Sequence, residues 1–115
     1  MNSEVHFEVS EAEYHGTIVL TVQGEVDVST APELRERLLV VADRGFNRVV
    51  VDLSAVSFVD STALGVLVSG AKRLRSAGGD LRLVVTQPRI AKVFEITGLT
   101  DLFPLYASAE EAVRT

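Results

Sequence analysis

The sequence predicts a single α/β domain in which a mixed β-sheet, begun by an N-terminal hairpin, carries about four helices. Strand-like and helix-like patterns alternate along 115 residues, a length that supports one hydrophobic core but not two ordinary domains. One run, Arg48–Leu53, is apolar on both faces and rich in β-branched residues, which is typical of a strand covered on both sides. We therefore expect residues 1–115 to form one domain.

The N-terminal hairpin is predicted by two β-type segments. Val5, Phe7 and Val9 alternate with polar neighbours, which is the period of a strand with one solvated face. A second apolar segment, Ile18–Val22, follows the turn-like sequence Tyr14-His15-Gly16. We expect these two segments to pair in the antiparallel direction.

The first helix is predicted to begin near Thr30 and to end before Gly45. Thr30 and Glu33 have the spacing of a capping box, and Pro32 is tolerated in a first helical turn. The apolar residues that recur at helical spacing are Ala31, Leu34, Leu38, Val41 and Ala42. This stripe indicates a helix that packs one face against the sheet.

A second amphipathic helix is predicted after the buried strand Arg48–Leu53. The residues expected to face the core are Leu64, Leu67, Val68, Ala71 and Leu74. The pair Gly78 and Gly79 is expected to end this helix before a further strand, Leu81–Val85. This order of strand, helix and strand predicts parallel pairing through right-handed crossovers.

Two short helices complete the predicted fold. The first spans Pro88–Thr97 and is stopped by Gly98. Its core-facing residues are expected to be Ile90, Val93 and Phe94. The second spans Ala109–Val113 and begins at a capping box formed by Ser108 and Glu111.

The composition excludes several classes of function. A net charge of −5 and a pI near 4.9 provide no basic surface for nucleic-acid phosphates or anionic lipid. Cysteine is absent, which removes thiol chemistry and thiolate metal sites. The apolar runs are far shorter than the ~20 residues that cross a bilayer, and the acidic N-terminal segment lacks the pattern of a secretory signal. We expect a cytoplasmic protein that binds no cofactor, metal, nucleic acid or membrane.

The sequence also lacks the arrangements that are typical of enzymes. A serine nucleophile needs a nearby base, but the two histidines, His6 and His15, lie on or beside the predicted hairpin. Asp52 ends a predicted strand and resembles the phosphoacceptor of a receiver domain. That chemistry needs an acidic pair after the first strand and a lysine after the last, and the chain has neither. We therefore expect a protein that is not an enzyme and that acts by binding.

The segment most informative about function is Asp60-Ser61-Thr62, directly before the second helix. The ordinary interpretation of hydroxyl residues there is a helix cap, with Asp60 adding a favourable charge to the first turn. A phosphate on a first-turn serine would also meet the positive end of the helix dipole. Such a site could therefore be phosphorylated without unfolding the domain.

The rest of the second helix favours this regulatory interpretation. Gly65, Val66 and Ser69 lie off the predicted core-facing stripe and form a small, nearly uncharged surface beside Ser61. Small residues let a partner approach closely. A phosphate of about −1.5 to −2 charge at the rim of such a surface would oppose docking through desolvation and repulsion.

Three segments resemble the STAS family of anti-sigma-factor antagonists. The family's signature loop and helix are similar to Leu53–Val68, with the sequence LSAVSFVDSTALGVLV. Its strand-to-first-helix segment is similar to Gly24–Leu38, and its C-terminal part is similar to Phe94–Ala112. The order of elements from Val5 to the terminal helix agrees as well, so the resemblance implies a STAS-type fold over nearly the whole chain.

The resemblance implies a mechanism of partner switching. The unphosphorylated form would bind an anti-sigma factor, a serine kinase of the histidine-kinase-like ATPase fold, and this binding would free a sigma factor. Phosphorylation by the kinase would end the interaction, and a metal-dependent serine phosphatase would restore it. The implied phosphate acceptor is Ser61, with Thr62 the less favoured alternative. Asp27 corresponds to an acidic position of the family near the partner-binding surface.

The expected partner-binding residues are Asp27, Asp60, Ser61, Thr62, Ala63, Gly65, Val66 and Ser69. Ala63 departs from the family, which often has glycine two residues after the acceptor serine. Alanine suits a first helical turn, so this departure concerns the approach of the kinase and not the fold. An alternative role keeps the fold and omits phosphorylation, as in a STAS scaffold or a transport-accessory binding module.

Overall fold

The fold is built on a five-stranded sheet whose strands lie side by side in chain order. The computed structural model describes residues 7–115. The strands are β1 (Glu8–Tyr14), β2 (Thr17–Val26), β3 (Arg48–Val59), β4 (Asp80–Val84) and β5 (Leu105–Tyr106). Strands β1 and β2 are antiparallel, whereas β2 to β5 are parallel. The predicted mixed sheet with an N-terminal hairpin is therefore confirmed.

Helices cover both faces of the sheet. They are α1 (Ala31–Asp43), α2 (Ser61–Ser76), α3 (Pro88–Ile96) and α4 (Ala109–Arg114), with a 3₁₀ turn at Leu99–Asp101. Helices α1, α2 and α3 contribute to one large core on the first face. On the second face, Ala112 of α4 packs with Val19, Val50 and Val84. The α/β class is as predicted, with four α-helices within residues 7–115.

The alternation of side chains along β3 explains why the sheet has two cores. Val49 and Val51 belong to the large core, whereas Val50 between them belongs to the small one. Both faces of this part of the strand are therefore buried, as its continuous apolar sequence predicts.

The hairpin lies later in the chain than the sequence pattern indicates. Val5 lies outside the described residues, and β1 continues to Tyr14, where a two-residue turn leads into β2. Both turn residues have positive φ, 53° at His15 and 87° at Gly16, as in the tight turns that match strand twist. The pattern misplaces β1 because it is an edge strand in which Val9 alone is buried.

Strand β3 is longer than predicted and does not end at Leu53. Two register shifts against β2 each place one extra residue on β3, and the pairing then continues to Val59. The second half of β3 runs past the end of β4, and Gln87 at the start of α3 covers it. The Gln87 side-chain amide donates to the carbonyl oxygens of Ser54 at 3.1 Å and Val56 at 2.8 Å.

Of the two predicted capping boxes, one is present in part: the Ser108 cap forms, while the Glu111 carboxylate accepts from the Ala107 N–H at 3.1 Å and not from the Ser108 N–H. The Ser108 hydroxyl oxygen accepts from the Glu111 N–H at 3.1 Å, as expected at the start of α4. The box predicted for Thr30 and Glu33 is wrong, because the Thr30 side chain makes no capping bond to α1. Its hydroxyl instead donates to the carbonyl oxygen of Glu25 at 2.8 Å.

The buried stripe of helix α2 differs from the predicted one at two residues, Ala63 and Val68. Its buried residues are Ala63, Leu64, Leu67, Ala71 and Leu74. Val68, expected to be buried, is only partly covered and packs against the edge of the core. Strand β5 was not predicted, because its two residues are too few to show a strand period.

Replacing Leu67 with alanine should cost about 2–5 kcal/mol of unfolding free energy, because the side chain is almost fully buried and would leave a cavity. Urea denaturation monitored by circular dichroism measures this difference. Lys72→Ala, at an exposed position of the same helix, is the matched control and should change stability by less than about 0.5 kcal/mol. Equal stabilities of the two variants would show that the packing of α2 is described wrongly.

Two glycine-to-alanine substitutions should have opposite effects on stability. A methyl group at Gly79 would lie 1.8 Å from the carbonyl oxygen of Asn47, so the backbone must move and the domain should lose at least ~1–3 kcal/mol. At Gly65 nothing lies within 4 Å, and alanine in a helix should add up to ~1 kcal/mol. Thermal melting measures both effects, and a stabilised Gly79→Ala variant would contradict the close approach.

Candidate functional site

The candidate site lies at the edge of the sheet where β2 and β3 end. The Asp60 N–H donates to the carbonyl oxygen of Val26 at 3.2 Å, which fixes the start of α2 against the end of β2. The last two residue pairs of β2 and β3 are Glu25 with Phe58 and Val26 with Val59. The loop before α1 and the loop before α2 are therefore neighbours.

Asp60 is the N-cap of α2. Its Oδ1 accepts from the Ala63 N–H at 2.9 Å, and its backbone is extended, as an N-cap requires. The sequence pattern predicts only a favourable charge for Asp60 and a cap from the hydroxyl residues. Because Asp60 fills this role, the hydroxyls of Ser61 and Thr62 are not needed for capping. Both residues are exposed in the first turn, as expected for a modification site.

Asp27 organises the loop before α1. Its Oδ1 accepts from the Ser29 hydroxyl at 2.8 Å, the Ser29 N–H at 2.9 Å and the Thr30 N–H at 3.1 Å. The Ser29 hydroxyl, followed by the backbone N–H groups, holds the pKa of this carboxyl below its usual value. The Asp27 N–H in turn donates to the Thr30 hydroxyl at 2.9 Å. Asp27 therefore has a structural role, and its contact with a partner stays a prediction.

The other predicted binding residues on α2 divide into three environments. Gly65 and Ser69 are exposed, which agrees with a surface role. Val66 is only half exposed and, with Ser69, lines a groove of about 180 Å³ between α1 and α2. The assignment of Ala63 to this surface is wrong, because it is fully buried in the core. Ala63 belongs to the buried stripe of α2, which continues with Leu67.

Two exposed apolar residues at this edge were missed by the sequence analysis. Val28 is 70% exposed in the loop before α1, and Phe58 is 47% exposed near the end of β3. An apolar residue within the polar loop sequence of residues 27–30 was the available signal for Val28. The sequence pattern did not indicate that Phe58 is exposed, because a register shift in β3 changes which residues face the core.

The residues considered for catalysis lie apart from Ser61. His15 occupies the hairpin turn, which is at the opposite end of β2 from Val26. Asp52 lies within β3 and not at its end, and its Oδ1 accepts from the hydroxyl of Ser54 at 2.7 Å. His6 lies outside the described residues. Within residues 7–115, no helix has both the length and the apolar character needed to span a bilayer.

Comparison with known proteins identifies the family. The sequence model of the STAS domain matches residues 8–112. An anti-sigma-B factor antagonist of Bacillus subtilis is 39% identical over 97 residues, which cover 84% of this chain and 88% of that protein. A Staphylococcus aureus protein of the same name is 40% identical over 89 residues, covering 77% of this chain and 82% of the relative.

Solved structures agree with this assignment. An anti-sigma factor antagonist from Mycobacterium paratuberculosis has a TM-score of 0.87 at 30% identity, over 95% of this chain and 92% of that chain. SpoIIAA of Bacillus in its phosphorylated form has a TM-score of 0.73 at 24% identity, over 95% of this chain and 97% of that chain, and shares the fold. The chain therefore belongs to the STAS domain family and is related within it to the anti-sigma factor antagonists.

Proposed function

We propose that this chain is an anti-sigma factor antagonist that binds its partner when unphosphorylated and is switched off by a phosphate on Ser61. The observation that carries this proposal is the first turn of α2. There, Asp60 provides the cap and leaves an exposed serine at the positive end of a 16-residue helix. The relationship to anti-sigma-B factor antagonists supports the same role.

The partner in this proposal is an anti-sigma factor that also acts as a serine kinase. Binding of the unphosphorylated chain occupies the anti-sigma factor, so its sigma factor is released. The kinase then phosphorylates Ser61 and ends the interaction, and a serine phosphatase resets the switch. In this cycle the chain itself is the substrate of the two enzymes and performs no chemistry.

The phosphate changes the surface and leaves the fold intact. Ser61 is exposed, so a phosphate there displaces no core side chain. A phosphate carries about −1.5 to −2 charge and strongly bound water, which a docking partner must remove. The neighbouring carboxylate of Asp60 is engaged with the Ala63 N–H and adds further negative charge. Phosphorylation therefore opposes a close contact at this edge.

The burial of Ala63 supports phosphorylation of the neighbouring Ser61. The family often has glycine here, and alanine could have hindered the kinase. Because Ala63 is fully buried, its methyl group points into the core and away from a protein that approaches Ser61. Alanine at this position also suits the helix better than glycine, by ~1 kcal/mol.

Two variants of Ser61 test the switch. Ser61→Ala should bind the partner as the unmodified chain does, and Ser61→Asp should bind more weakly because its carboxylate must be dehydrated. Each variant serves as bait in a lysate of the source cell, and the captured proteins are quantified by mass spectrometry. Recovery of an ATPase-type kinase with the alanine bait alone is the expected result.

Thr62 supplies the matched control for this experiment. Thr62→Asp places the same charge one residue further along an exposed turn and should weaken binding less than Ser61→Asp. Phosphopeptide mapping after incubation with the captured kinase should find the phosphate on Ser61. Equal capture by all baits would exclude phosphorylation control and leave a constitutive scaffold.

A charge introduced at Ser69 tests how far the binding surface extends along α2. Ser69→Glu should reduce capture of the same partner, because the exposed side chain lies on the face that continues from Gly65. Thr100→Glu, at another exposed hydroxyl residue in the 3₁₀ turn, should bind normally. If Ser69→Glu binds normally while keeping its melting temperature, the surface ends near the first turn of the helix.

A further inference from the structure

Two large apolar side chains are exposed at the edge that carries Ser61. Phe58 is 47% exposed and Val28 is 70% exposed. Phe58 is paired with Glu25 in the sheet, and Val28 belongs to the loop whose Thr30 hydroxyl bonds to the carbonyl oxygen of Glu25 at 2.8 Å. Both side chains therefore extend the surface around Ser61 toward β2.

The fold does not explain this exposure. Neither Val28 nor Phe58 belongs to the apolar clusters that hold the helices on the sheet. Val56 and Val59 of the same strand are buried, whereas Phe58 is exposed together with the small residues Ala55 and Ser57. Exposed apolar side chains bordered by polar residues are a common feature of protein interaction sites.

The charge of this edge restricts what can dock on it. Neither Gly24–Leu34 nor Val49–Ala71 contains a lysine or an arginine. The same stretches carry the carboxylates of Glu25, Asp27 and Asp60 around the apolar pair. A partner that buries the apolar pair must therefore supply positive charge at its rim.

We propose that Val28 and Phe58 are the apolar anchors of the interface, seated in an apolar pocket of the anti-sigma factor that is bordered by lysine or arginine side chains. This inference rests on the proposed function for the identity of the partner. The basic groups face Glu25 and Asp27, where this chain presents negative charge. The contact at Ser61 is closely packed instead, through the small residues of the first turns of α2.

This division explains how a phosphate can oppose binding to a basic partner. The positive groups of the partner lie opposite Glu25 and Asp27. The phosphate on Ser61 therefore enters a closely packed contact in which no positive group lies opposite it. The phosphate weakens binding because of its size and because it must lose bound water in the contact. Binding of the unphosphorylated chain should therefore weaken with added salt, whereas the ratio between unphosphorylated and phosphorylated affinities should depend little on salt.

The test measures the affinity of each variant for the anti-sigma factor captured with the Ser61→Ala bait, by isothermal titration calorimetry. Val28→Ala and Phe58→Ala should each weaken binding by about tenfold or more, as apolar anchors do. Val40→Ala is the matched control, since Val40 is 43% exposed near the far end of α1. It should bind with unchanged affinity. Melting temperatures show that each variant is folded.

A charge variant tests the basic rim independently. Glu25→Gln should weaken binding and reduce its dependence on salt, whereas Glu36→Gln, which removes an exposed carboxylate from α1, should do neither. Because Glu25 is exposed and its backbone pairing is retained, this variant should fold even if Phe58→Ala does not.

The outcomes separate this inference from the proposed function. Unchanged affinities of Val28→Ala and Glu25→Gln, with Ser61→Asp still weakened, overturn the anchors and leave the switch standing. Weakened anchor variants with equal binding of the Ser61 variants support the interface and exclude phosphorylation control. If the Ser61→Ala bait captures no anti-sigma factor, both the partner and the proposed anchors are rejected.

Discussion

The structure depends on the parallel pairing of β2 with β3 over their whole length. This pairing ends with the Asp60 N–H bound to the carbonyl oxygen of Val26, so the loops that start α1 and α2 are held at one edge. Two register shifts interrupt the pairing, and Gly24, with φ of 105°, lies at the second of them. Beyond the end of β4, β3 continues to pair with β2 up to Val59, two residues before Ser61.

At this edge, one set of side chains maintains the fold and another is free for binding. Asp60 caps α2, and Ala63 packs in the core. The side chain of Ser61 is therefore not needed for either role. Asp27 uses one oxygen to hold its loop and has a lowered pKa, so it stays charged over the physiological range. Because exposed and structural groups alternate within a few residues, a modification at the surface need not disturb the sheet.

Sequence patterns predict the parts of this fold in which burial is periodic. Leu67 and its neighbours on α2 follow the helical period because the helix buries one stripe. Strand β1 was misplaced because an edge strand with one buried residue has no clear period. The ending of β3 was missed because bulges interrupt the alternation near Ser54 and reverse the facing of Phe58. The prediction of a Thr30 cap was wrong because the Thr30 hydroxyl bonds within the preceding segment, to the carbonyl oxygen of Glu25 and the N–H of Asp27. The environment of Ser61 could be predicted, since a helix start is local.

The central claim is that a phosphate on Ser61 changes a binding surface and not the fold. It is tested most directly by the amide ¹H–¹⁵N NMR spectra of the chain with serine or with incorporated phosphoserine at position 61. The account predicts shifts confined to the loop before α1, the end of β3 and the first turns of α2. Amides near Val50 and Ala112, on the opposite face, should not move. Shifts spread through the sheet would contradict the account and indicate a switch that acts through the core.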